Sequence, residues 1–203
     1  MPPPRHLEAS TQLLVEGNDQ RNFFEAFVAY LGISRIQVQN FGGVNDLAGF
    51  MMNLVAMGEL WDGVQSIGIV RDAELSASSA FQSVQGSLAK AGLSVPDRPG
   101  EPTNSLPSIN VLILPDDDNA GMLETLLCRT FEDTPIGVCI ESFFGCVSAE
   151  TGEGLHRPDK ARAHAYIATQ RDPHVSVGVA TQRGYWYLDH AVFNGVHNFL
   201  RSL

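Results

Sequence analysis

The chain has 203 residues, 44% of them hydrophobic and 18% charged, with a formal net charge of −10. That is enough apolar material for one full core, and the acidic balance excludes a protein that coats nucleic acid by charge alone. No apolar run approaches the ~20 residues of a membrane span, and Met1-Pro2-Pro3-Pro4-Arg5 lacks the apolar segment of a secretory signal, so a cytoplasmic, membrane-free location is expected. In that reducing setting Cys128, Cys139 and Cys146, an odd number without metal spacing, read as buried thiols.

Residues 1–10 read as a loose arm and residues 11–203 as a single domain. The apolar run Leu13-Leu14-Val15 ends abruptly at Glu16-Gly17, and Phe23, Phe24, Phe27, Val28 and Leu31 then recur on one helix face. This predicts a strand over 11–16, a tight turn, and a helix over 19–31 capped by Asp19. Ligands of open α/β sheets bind at the carboxyl ends of strands, which makes Glu16 the first candidate site residue. Arg35–Gln39 alternates polar and apolar, the pattern of a strand with one exposed face. Gly42-Gly43 turns the chain into a helix carrying Leu47, Phe50, Met51, Leu54 and Val55; with no Gly-Lys-Ser/Thr following, it is no phosphate-binding loop.

A third buried strand over 66–70 runs into Arg71-Asp72-Ala73-Glu74. Asp72 and Glu74, two apart on extended chain, point the same way and can reach one ion. With Glu16 they make three carboxylates at strand ends, a donor set for a hard divalent cation. Ala77, Ala80, Phe81, Val84 and Leu88 predict a helix that ends before Gly92. Residues 94–108 carry four prolines and no periodicity, a long surface loop, after which Ile109–Leu114 resumes as a fourth buried strand. Strands separated by helices predict a parallel sheet. Asp116-Asp117-Asp118-Asn119 reads first as a helix start, with Asp118 or Asn119 as cap, and second as a source of metal ligands, Asp116 among them.

Further on, residues 135–147 are predicted helical, 148–159 loop, and 160–169 a short helix opened by Lys160. Val175, Val177 and Val179 alternate and suggest an edge strand, and Val192 to Leu203 a terminal helix. Residues 157–203 hold six Lys/Arg against three Asp, whereas residues 1–156 hold seven against twenty Asp/Glu. A basic flank beside an acidic face suits a phosphate-bearing substrate. The six histidines form no close pair at metal spacing, and Tyr185-Trp186-Tyr187 reads as packing before it reads as a base-stacking platform.

The Glu16-Gly17 pair after the first strand and Asp72-Ala73-Glu74 after a later one resemble the signature of the Toprim family, Glu-Gly and Asp-x-Asp, with Glu74 in place of the second aspartate. Toprim domains occur in topoisomerases, primases and nucleases, including those of the overcoming-lysogenisation-defect class. Gly121-Met122-Leu123-Glu124 is similar to a Gly-x-x-Glu element of a small prokaryotic branch of Toprim-related proteins, which extends the resemblance to the C-terminus. It implies a Toprim/Rossmann-like fold: a mainly parallel sheet of about four strands flanked by helices, with extra C-terminal helices. It implies Mg²⁺, with Mn²⁺ as an alternative, held by Asp72 and Glu74. Glu16 joins the metal shell or acts as general acid/base, and Lys160, by default a solvated lysine at a helix start, is the candidate to stabilise phosphate charge. Asp116 or Glu124 would add ligands for a second ion. The implied activity is phosphodiester cleavage or transfer on nucleic acid. The competing expectation is a non-catalytic Toprim-like module that binds a nucleotide, nucleic acid or protein partner, and a different phosphotransfer enzyme on the same scaffold is a third.

Overall fold

The computed structural model describes residues 2–203. Four strands form one sheet in the order β2-β1-β3-β4: β1 Thr11–Glu16, β2 Ile36–Gly42, β3 Ser66–Asp72 and β4 Ser108–Leu114. Every pairing is parallel. β1, β3 and β4 are buried on both faces, which is why their sequences show near-continuous apolar runs, whereas β2 alternates. Leu13, Val15, Val70, Leu112 and Leu114 face one half of the core; Leu14, Ile67, Ile69, Ile109, Val111 and Ile113 face the other.

Helices cover both faces. On the first lie α1 (Gly17–Leu31), α5 (Leu123–Cys128), α7 (Pro158–Ala168), α8 (Val177–Gln182) and α9 (Asn194–Ser202). On the second lie α2 (Leu47–Val55) and α4 (Ala77–Lys90). A short α3 (Glu59–Asp62) precedes β3, and α6 (Pro135–Thr151) packs beside α7. The expected α/β architecture with extra C-terminal helices is therefore the observed one. Among the described residues no helix is long and apolar enough to cross a membrane.

Five local expectations are corrected. Val175–Val179 is not an edge strand: Ser176 caps α8 by accepting the Val179 N–H, and Val177, Ala180 and Thr181 are buried at helical spacing. Three alternating valines are too few to separate the two periods. The polar face of β2 is not exposed, because Gln39 is 1% exposed. Gln37 and Gln39 accept the N–H groups of Glu8 and Arg5 at 2.9 and 2.8 Å, and Leu7 joins the core there. Helix α5 starts at Leu123 instead of Asp118 or Asn119, because Asp116 Oδ1 takes up the N–H groups of both Asp118 and Asn119 in a turn. Of the thiols only Cys128 is buried; Cys139 and Cys146 are exposed because α6 turns only Gly137 and Ile140 fully inward.

The C-terminal aromatics are absorbed by packing. Trp186 stacks on Tyr166, which stacks on Phe131, with ring centroids 4.8 and 4.4 Å apart. Helix α8 is fitted against the start of α1 at Gly178, where a Cβ would lie 2.4 Å from the Asp19 carbonyl oxygen. Asp19 does not cap its own helix. Its Oδ1 accepts the Gly178 N–H at 3.4 Å, and α1 begins directly after Glu16.

Candidate metal centre at the sheet edge

Strands β1 and β3 are central neighbours whose onward connections run to opposite sides of the sheet, to β2 and to β4. Their carboxyl ends flank the switch point, the position where open parallel sheets form a crevice. Glu16 ends β1 and Asp72 ends β3. Gly17, at φ 73°, turns the chain sharply into α1. The turn is fixed by two side-chain amides: Gln20 Oε1 accepts the Glu16 N–H at 3.0 Å and Asn40 Oδ1 accepts the Gly17 N–H at 3.0 Å.

Asp72 is the most perturbed carboxylate here. Burial pushes its carboxyl up to about 7, and the charges of Glu124, Glu16 and Glu74 add to the rise. One hydrogen bond opposes it, from the Leu123 N–H to Oδ1 at 3.0 Å. That donor opens α5, so a helix N-terminus faces the carboxylate. Burial also raises the Glu16 carboxyl, with Glu74 contributing, against the lowering effect of Arg71 and Lys160.

Two of these acids already have cations. Arg71 Nε lies 3.3 Å from Glu16 Oε2, with the guanidinium side chain only 5% exposed. Its N–H points off that line, so Nε makes no hydrogen bond, and Nη1 reaches the Val44 carbonyl at 3.4 Å. Lys160 Nζ lies 3.5 Å from Glu124 Oε1. Glu74 sits two residues beyond the end of β3 at φ 52° and exchanges backbone hydrogen bonds with Gly121 at 2.8 and 2.9 Å.

Glu16, Asp72, Glu74, Glu124 and Lys160 are thus electrostatic neighbours at one edge. Asp116 is engaged elsewhere: burial notwithstanding, hydrogen bonds from Asn119 and Arg129 hold its carboxyl below the usual range, and Arg129 Nη1 sits 3.0 Å away. Arg71 was not among the residues singled out from the sequence. An arginine inside a buried run needs a carboxylate partner, and Glu16, at the end of the adjoining strand, is that partner.

The donor chemistry fits a hard cation: carboxylate oxygens only, one of them buried and short of positive charge. Among the described residues no group of three or more His, Cys, Asp or Glu side chains converges on a common metal position. Mg²⁺ in phosphate chemistry uses one or two carboxylates and completes its octahedron with water and phosphate oxygens, a smaller demand than three converging acids.

Fold and edge define the class: an α/β protein with a four-stranded parallel sheet and a carboxylate cluster at the ends of its central strands. Within that class the chain belongs to the family described as protein of unknown function (DUF3226), whose model matches residues 10–203. No curated protein matches it. Two solved structures of the C-terminal region of the Xanthomonas campestris pv. campestris OLD protein, one phased with mercury and one with platinum, are similar to it at 15% identity. The first similarity covers 97% of this chain and 87% of that one with a TM-score of 0.39. The second covers 96% and 84% with a TM-score of 0.38. A likeness that remote does not bear on activity.

Proposed function

We propose that the chain carries out metal-dependent phosphodiester chemistry on nucleic acid, in the manner of a Toprim-type nuclease, with Mg²⁺ or Mn²⁺ at Asp72 and Glu74. The observation that carries this reading is Asp72 itself: a carboxyl pushed up to about 7 by burial and by three neighbouring acids, at the switch point of a parallel sheet. An arriving cation would displace the proton from such a group and offset the charges around it. When bound, the cation would neutralise phosphate charge and acidify a coordinated water. The chain's own residues supply the rest. The Leu123 N–H fixes the orientation of Asp72. Glu16, raised by burial yet held beside Arg71, is suited to take a proton from the attacking oxygen. Lys160, 40% exposed beside Glu124, can turn to a phosphate oxygen.

A second reading has its own support. Arg71 and Lys160 occupy Glu16 and Glu124, which favours a module that binds nucleotide, nucleic acid or protein without chemistry. Cleavage of single- and double-stranded DNA and RNA in Mg²⁺, Mn²⁺ and Co²⁺ separates the two. The nuclease reading expects wild-type cleavage, its loss in Asp72→Asn, and a fall of about 10²–10⁴-fold in Glu16→Gln. No cleavage of any substrate with any of the three metals selects the binding module.

A further inference from the structure

Of the acids that are candidate ligands, three already have a cation. Arg71 lies 3.3 Å from Glu16, Lys160 3.5 Å from Glu124 and Arg129 3.0 Å from Asp116. Asp72 and Glu74 form no ion pair among the described residues. These partners differ in freedom. Lys160 is 40% exposed at the start of α7 and can leave Glu124. The Arg71 side chain is only 5% exposed, and its Nη1 donates to the Val44 carbonyl at 3.4 Å, so it stays with Glu16.

Strand register explains why Arg71 meets Glu16 and not Asp72. Leu14 of β1 pairs with Ile69 of β3, and both face the half of the core covered by α2 and α4. Two residues further along these parallel strands stand Glu16 and Arg71, and the period of two sends both toward that same face. Val70 faces the other half of the core, and Asp72 follows it there. Asp72 Oδ1 accordingly accepts the N–H of Leu123, whose helix α5 covers that half. The two carboxylates share the edge but leave it toward opposite faces. A second divalent ion placed about 3.5–4 Å from the first, as in two-metal phosphoryl-transfer sites, needs carboxylates of its own. Charge points the same way: Glu16, Asp72, Glu74 and Glu124, when all are ionised, exceed Arg71 and Lys160 by the charge of one divalent cation.

We infer that the edge takes a single divalent cation, at Asp72 and Glu74, and that Arg71 stands in place of a second by holding Glu16 out of the metal shell. The inference rests on the phosphodiester reading of this edge and narrows it. Arg71 is a positioning residue that acts through Glu16, and Glu16 stays clear of metal for proton transfer.

The test counts Mn²⁺ bound per chain, by calorimetric titration and by the electron paramagnetic resonance signal of free Mn²⁺. Wild type is expected to bind one ion. Arg71→Met frees Glu16 and should take up a second, whereas Arg71→Lys keeps the charge and should take one. Removing one member of a buried pair strands the other charge, so Arg71→Met is the variant at risk of unfolding. The double variant Glu16→Gln, Arg71→Met removes both charges together and carries the test independently, since buried pairs are often replaced without loss of stability. It should bind one Mn²⁺ with an affinity within about threefold of wild type, the scatter expected when no shared contact is lost. Two ions in wild type, a folded Arg71→Met that binds one ion as wild type does, or a double variant weakened beyond that range would overturn the inference while leaving a metal at the edge. A wild type that binds no Mn²⁺ would remove the metal reading, and the inference with it.

Discussion

Near neutral pH the folded chain holds a proton on Asp72 that the unfolded chain has already lost. The folded pKa is about 7 against an ordinary 3.8, so the native state binds more protons between those values. Its contribution is full below pH 4, declines as pH rises through 7 and is absent above. Without divalent cations, stability should therefore fall from pH 5 to pH 8. Asp72→Asn should flatten that fall and be more stable than wild type at pH 8, by urea denaturation at each pH. A wild-type slope that survives in Asp72→Asn would assign the proton elsewhere. Glu74 stores a different cost, since a non-glycine residue in the left-handed region costs roughly 1–2 kcal/mol. Glu74→Gly should raise stability by about 1 kcal/mol once the extra freedom of unfolded glycine is subtracted. It should also weaken divalent-cation binding, read by calorimetric titration with Mn²⁺. Glu74→Asp, which keeps the charge on a side chain one methylene shorter, should keep that binding.

Helix α8 joins the C-terminal helices to the start of α1, on the segment that follows Glu16. Gly178→Ala would drive a methyl group to 2.4 Å from the Asp19 carbonyl oxygen, and backbone cannot yield as a flexible side chain does. A loss of about 2–3 kcal/mol is expected, within the 1–3 kcal/mol typical of overpacking. A neutral result would mean that α8 moves freely against α1. The same helix shows where sequence reasoning stops. Ser66–Val70 and Ile109–Leu114 are legible because strands buried on both faces leave unbroken apolar runs. Val175–Val179 is too short to show its period, and only the fit of Gly178 against α1, a contact 159 residues away in sequence, explains the helix. Gln37 and Gln39 mislead for a related reason. Their amides face the backbone N–H groups of Glu8 and Arg5, and an amide paired with backbone reads from sequence like one facing water. Of the site, Glu16, Asp72 and Glu74 were legible as acids ending apolar runs. The pairing of Arg71 with Glu16 depends on strand order, which no local pattern carries.

Across the whole molecule the charge is divided. The first 156 residues carry a large acidic excess and the last 47 a small basic one, and the two meet where Lys160 approaches Glu124. The sheet order brings the ends of β1 and β3 together at the one position where connections diverge, so that Glu16 and Asp72 lie at the same edge. The central question is whether that edge takes a cation. A ligand that binds only the folded state at about a hundred times its Kd adds about 2.7 kcal/mol. For a chain of this size each kcal/mol raises the melting point by roughly 2–4 °C. The decisive measurement is thermal unfolding at pH 8 of wild type and Asp72→Asn, each with and without millimolar Mg²⁺ or Mn²⁺. The prediction is a rise of about 5–10 °C for wild type, following from those two relations, and almost none for Asp72→Asn. A wild-type melting point indifferent to both metals, or an equal rise in the two proteins, would contradict it.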